Sequence, residues 1–157
     1  MKIGIISDTH GMIRIAQNVL GNMEKIDLLV HLGDHYEDAM LLRKQIDIEV
    51  VAVKGNCDSH IDAQDEIILE IGAHKILLVH GHQYGVKADL GKLYYKALEA
   101  QSDIVLFGHT HVPIKIQHEG VWMINPGSIG LPRAGHKASY AILEIEDKDI
   151  KSEIIAV

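Results

Sequence analysis

Five short apolar runs in this chain each end in a burst of Gly, Asp, Asn and His. They read IGIISDTH (Ile3 to His10), LLVHLGD (Leu28 to Asp34), VVAVKGNCD (Val50 to Asp58), ILLVHGH (Ile76 to His82) and IVLFGHTH (Ile104 to His111). An apolar run bounded by turn-forming residues is the pattern of a strand buried on both faces. Polar side chains at five such ends restrict the fold, because ligands in open α/β sheets bind outside the carboxyl ends of the strands. One face then collects Asp8, His10, Asp34, Asn56, His80, His109 and His111. Oxygen and imidazole donors gathered in this way describe a site for two metal ions.

The order of elements agrees. Ile3 to Ser7 reads as a strand, and Met12 to Met23 as a helix with Ala16, Val19, Leu20 and Met23 on one face. A strand over Leu28 to Leu32, a helix marked by Ala39, Leu42 and Ile46, and a strand over Val50 to Val53 continue the rhythm that builds a parallel sheet. Glu37 and Asp38 suit the first turn of that helix. Ile67 to Glu70 and Ile76 to Val79 form a hairpin around Gly72, Ala73 and His74. A third helix is expected over Ala88 to Gln101 and a buried strand over Ile104 to Phe107. Pro113 to Gln117, Val121 to Asn125, Ser139 to Ile145 and Ile150 to Ala156 read as antiparallel strands, with Lys115, Gln117, Lys151 and Glu153 supplying the alternation. The fold class expected is α/β, with two packed mixed sheets in a β-sandwich flanked by helices, in one domain over 1–157.

Composition narrows the function. A net charge of −7 argues against extended nucleic-acid binding through a basic surface. It allows an anionic substrate, since two dications invert the local field. No apolar stretch approaches the roughly 20 residues needed to span a bilayer. The N-terminus carries no secretory pattern, and the lone Cys57 suits a reducing, cytoplasmic compartment.

Asp8 and His10 stand two apart, as do His109 and His111. In extended backbone such residues point to the same side, so each pair aims two donors at one point. Seven donors are too many for one ion and suit two, provided one carboxylate bridges. Mn, Fe, Ni and Zn all accept this mixture of carboxylate and imidazole. Two such ions generate a hydroxide nucleophile and clamp both oxygens of an in-line displacement, which is the chemistry of phosphoester hydrolysis.

The clusters DTH, GD, GNCD, HGH and GHTH, in this order, resemble the calcineurin-like metallophosphoesterases, in particular their small prokaryotic phosphodiesterases. The resemblance runs through the late NPGS (Asn125 to Ser128). It implies a four-layer fold, a first metal on Asp8, His10 and His111, a second on Asn56, His80 and His109, and Asp34 bridging both. Asn56 would also stabilise the charge developing on phosphorus. The substrate implied is a small phosphodiester hydrolysed by a metal-bridging hydroxide. Small relatives often assemble, so a homo-oligomer through edge strands is also implied.

One position departs from the pattern. Larger members carry His where this chain has Cys57, and that His contacts the phosphate or protonates the leaving group. A thiol donates weakly. His82, two residues after His80, is the candidate to replace it. His31 reads as a core histidine or as a group orienting a ligand, and Asn125, Gly127 and Ser128 as a tight turn or pocket lining. The competing function is a metal-binding scaffold for protein–protein contacts on the same fold. Donors at all seven positions favour the enzyme.

Overall fold

The apolar runs pair into two five-stranded sheets in the computed structural model, which describes residues 1–157. The first sheet holds β1 (Lys2–Ile6), β2 (Leu28–His31), β3 (Glu49–Ala52), β9 (Ser139–Glu146) and β10 (Asp149–Ala156), in the order β10-β9-β1-β2-β3. The second holds β4 (Glu66–Ile71), β5 (His74–Val79), β6 (Ile104–Phe107), β7 (Pro113–His118) and β8 (Val121–Pro126), in the order β4-β5-β6-β8-β7.

Side-chain alternation builds the layers. In β1 and β2, Ile3, Ile5, Leu28 and Val30 face the opposite sheet, where they meet Ile76, Leu78, Ile104, Leu106 and Ile124. The residues between them face outward. Ile6 and Leu29 pack against Ala16 and Val19 of α1 (Ile13–Asn22) and Ala39 and Leu42 of α2 (Tyr36–Arg43). Leu77, Val79, Val105 and Phe107 pack against Leu93 and Ala97 of α3 (Gly91–Glu99). The result is helix, sheet, sheet, helix, and it explains why the central strands are apolar on both faces.

One expectation changes, the purely antiparallel pairing of the strands after Phe107. The C-terminal hairpin β9–β10 returns to the first sheet, where β9 lies antiparallel to β1. The second sheet has a parallel centre, with β6 parallel to both β5 and β8. Helix α3 makes the crossover from β5 to β6, and β7 turns back at the edge so that β8 slots in beside β6. Six strands therefore deliver their carboxyl ends to one edge of the sandwich: β1, β2 and β3 from one sheet, β5, β6 and β8 from the other.

Helix ends also differ from the periodicity. Helix α3 starts later than Ala88, because Ala88 N–H bonds to Gly85 O in a turn and the Asp89 carboxylate takes the Gly91 N–H. Helix α2 stops before Ile46. Its first-turn donors, the N–H groups of His35 and Tyr36, are taken by Asp58 Oδ1 at 3.0 and 2.9 Å, so its cap comes from a distant segment.

Leu78 is completely buried between the sheets, whereas Ile68 is 47% exposed on the edge strand β4. Leu78→Ala should cost about 2–5 kcal/mol in urea unfolding, and Ile68→Ala should stay within about 0.5 kcal/mol.

Candidate metal centre

Where the six carboxyl ends meet, side chains from both sheets converge. Asp8, His10, Asp34 and His111 bring one donor atom each to within 4.8 Å of one another. Asp34, His80 and His109 form a second group of the same kind. Asp34 belongs to both. His10 Nε2 and His111 Nε2 are 3.3 Å apart, and His111 Nε2 is 3.0 Å from Asp8 Oδ1. His80 Nε2 is 3.5 Å from Asp34 Oδ2. Bonds of about 2.0–2.2 Å to a shared ion put neighbouring donors roughly 3 Å apart, so these spacings suit a metal.

The pairs do not converge through extended backbone. Asp8, His10, Asp34, His109 and His111 all have left-handed φ angles, between 46° and 65°. Each such residue costs about 1–2 kcal/mol relative to an ordinary conformation. The turn, rather than strand alternation, aims the donors.

Hydrogen bonds then select which atom of each side chain is free. Ser7 O–H and His109 N–H both donate to Asp8 Oδ2, at 2.5 and 3.1 Å. That leaves Asp8 Oδ1, buried and without a partner. Cys57 N–H donates to Asp34 Oδ1 at 2.9 Å, leaving Oδ2 to face the histidines. His80 Nδ1 lies 2.7 Å from Leu32 O, and His111 Nδ1 lies 2.6 Å from Leu131 O. A carbonyl only accepts, so each ring carries a proton on Nδ1 and, in its neutral form, presents the Nε2 lone pair to the site. His80 Nε2, like Asp8 Oδ1, is buried with no partner. Orphaned donors aimed at a common point fit divalent ions, and orientation through the second nitrogen is how metal-binding histidines are held.

Charge follows from the same packing. Burial opposes ionisation of Asp8 and Asp34, yet the carboxyl groups of both stay below their usual range. His111, His80 and Ser7 stabilise Asp8, and His80 and the Cys57 N–H stabilise Asp34. His80 is pulled down by burial but lifted further by the Asp34 and Asp8 carboxylates, so its pKa rises. Burial, and then the charges of His80 and Lys87, push His109 down to about 4. His10 is lowered mainly by burial. Neutral imidazoles are the form that ligates.

Of the seven residues expected from the sequence, six fall into the two groups. Asn56 opens a one-turn 3₁₀ helix over Asn56–Asp58 and is exposed, with its amide 3.6 Å from Cys57 Sγ. Cys57 is exposed. Lost hydration and the Asp34 carboxylate push its thiol up to about 11. His82 stacks into the cluster, 5.5 Å from the His80 ring and 6.1 Å from the His109 ring, and its Nδ1 is buried without a partner. Asn125 and Ser128 brace the loops and do not line the site: Asn125 Nδ2 donates to Gly108 O and Ser128 O–H donates to Asp8 O. Ser7 and Asp58 were not singled out from sequence. Asp58 closes the GNCD cluster and takes the Gly55 N–H as well as the α2 donors, so its place in the motif was the available signal.

Close approach explains one glycine. A Cβ on Gly108 would lie 2.0 Å from Ser7 Oγ and 2.8 Å from Asp8 Oδ2. The two sheets touch there through a backbone with no side chain.

Two mixed sheets between helices, with paired carboxylate and histidine clusters at the strand ends, define a metal-dependent phosphoesterase fold. The Calcineurin-like phosphoesterase superfamily domain matches residues 1–148, and the chain belongs to that family. It is 42% identical to the probable metallophosphoesterase YsnB of Bacillus subtilis, over 94% of this chain and 86% of that protein. It is 31% identical to the phosphodiesterase YfcE of Escherichia coli, over 98% and 91%. Among solved structures, a predicted phosphoesterase of Streptococcus pneumoniae superposes with TM-score 0.84 at 32% identity, covering 99% of this chain and 88% of that one. Vps29 of Entamoeba histolytica, complexed with zinc, superposes with TM-score 0.76 at 25% identity, over 99% and 98%.

Gly108→Ala should displace Ser7 and weaken metal binding about tenfold or more in a calorimetric titration. Gly21→Ala, where an added Cβ meets nothing within 4 Å, should leave the titration unchanged.

Proposed function

We propose that this chain is a dinuclear metal-dependent phosphodiesterase acting on small phosphodiesters. The observation that carries the reading is the pair of donor groups sharing Asp34. Asp8, His10 and His111 would hold one ion and His80, His109 and Asn56 the other, with Asp34 between them. The ions would be Mn, Ni, Fe or Zn, all compatible with these donors. When bound, two such ions supply a shared water deprotonated near neutrality and neutralise the oxygens of the phosphate.

The remaining steps belong to side chains. Asn56 is exposed and precedes Cys57, whose N–H binds Asp34, and its amide would meet charge developing on the phosphate. Protonation of the departing oxygen falls to His82 better than to Cys57. The thiol is a weak donor, and its pKa near 11 describes the protonated state without making it a better one. His82 shares the cluster of His80 and His109 rings and has an unpartnered nitrogen. Burial and the charge of His80 hold His82 below its usual range, so the proton it offers is in limited supply near neutrality and the site favours substrates whose leaving group departs easily.

The likeness to Vps29 keeps a second reading in view, a metal-binding scaffold without turnover. Metal removal separates the two. Stripped protein should lose, and added Mn or Ni should restore, hydrolysis of an activated aryl phosphodiester in preference to its monoester. Asp34→Ala should not be restored. Two bound ions without hydrolysis of any diester would favour the scaffold.

His82→Ala should lower turnover about a hundredfold, as expected on losing a general acid, with metal content intact. The loss should grow as the leaving group becomes more basic. Unchanged turnover across leaving groups would remove His82 from the mechanism.

A further inference from the structure

Thr9 lies between two of the converging residues, Asp8 and His10, but its side chain points away from them into the fold. It is completely buried, as is His31 on β2, and Asp38 on α2 is 5% exposed. Thr9 Oγ1 lies 3.1 Å from His31 Nε2 and 2.6 Å from Asp38 Oδ2. His31 Nδ1 accepts the Gly33 N–H at 3.2 Å, and Asp38 Oδ2 also accepts the Gly11 N–H at 2.9 Å.

The directions of these bonds are determined. A backbone N–H donates, so His31 Nδ1 is the acceptor and the imidazole proton sits on Nε2. That proton goes to Thr9 Oγ1. The single hydroxyl proton of Thr9 then goes to the Asp38 carboxylate, which can only accept. The chain runs one way, from Gly33 N–H through His31 and Thr9 to Asp38, with Gly11 N–H joining at its end. Burial holds His31 down to about 4, so the neutral tautomer is its resting form.

The chain ties together two loops under backbone strain. Asp8, His10 and Gly11 on one loop and Gly33 and Asp34 on the other all have left-handed φ angles. Asp8, His10 and Asp34 supply three of the four donors in the first group. The buried hydrogen bonds offset the strain of those turns and set the distance between the loops.

We propose that His31, Thr9 and Asp38 are positioning residues that preorganise the first metal position, through a directional hydrogen-bond chain linking the Asp8–His10 loop to the Gly33–Asp34 loop. The inference rests on the reading of the site as a dinuclear metal centre. The second position is coupled to the chain less directly, through the shared Asp34 and the His109 N–H that Asp8 accepts, because the rings of His80 and His109 come from the other sheet and make no hydrogen bond to Thr9, His31 or Asp38.

The test is a calorimetric titration of metal-free protein with Mn, with melting temperature followed in parallel. Wild type should bind two ions; a wild type that binds none overturns both the metal-centre reading and this inference. Thr9→Val keeps the shape and removes the hydroxyl. It should weaken one binding step about 10–100-fold, the usual effect of losing an outer partner of a ligand, and leave the other step in place. Thr9→Ser keeps the hydroxyl and should restore the lost step. Should Thr9→Val fail to fold, Asp38→Asn, which keeps the shape but loses the charged acceptor, should weaken the same step selectively. Two unchanged steps, equal loss of both steps, or a Thr9→Ser variant as impaired as Thr9→Val would overturn the inference while leaving the dinuclear reading intact.

Discussion

Two carboxylates, Asp8 and Asp34, are buried within a few ångströms of each other at the seam between the sheets. Anions in such a place are costly unless they are paired and hydrogen-bonded. Much of the surrounding structure answers that cost. Ser7 and the His109 N–H take one oxygen of Asp8, the Cys57 N–H takes one oxygen of Asp34, and the remaining oxygens face histidines. The neutralising groups arrive on the ends of β1, β3, β5 and β6, strands of both sheets, so the seam forms only when the two sheets are packed in register.

The same constraint shapes the backbone. Non-glycine residues rarely adopt left-handed angles, yet five of the residues that converge here do so. The turns are tight enough to bring donors from both sheets to one point, and rigid bracing keeps them there. Ser128 holds the Asp8 carbonyl, Asn125 holds Gly108, and Asp58 ties the Gly55 loop to the start of α2. Strain concentrated where side chains must be aimed is the usual signature of a functional site. The ordinary strands and helices behind it, with their buried apolar faces, supply the stability that offsets it.

How much of this was legible depended on the kind of signal. The strand from Ile104 to Phe107 and the helix around Ala16 and Val19 were readable because apolar periodicity is a local property. The six donors that converge were readable because each sits at a strand end in a short motif. The left-handed turns were not, since Asp8-Thr9-His10 has the same spacing in either backbone conformation. His31 was legible only as either a core histidine or a group orienting a ligand, and Asp38 looked like a first-turn acid; nothing local shows that Thr9 connects them.

By itself, the sequence determined the residue types at the strand ends, the alternation that buries two sheets face to face, and hence the family and its metal-binding chemistry. These are short-range properties, set by period and by side-chain identity. Only the tertiary structure decided which sheet received the last hairpin and which oxygen or nitrogen of each donor was left free. Those outcomes depend on contacts between segments far apart in the chain. Asp8 and His109 are 101 residues apart, and only the packing of one sheet on the other brings them together.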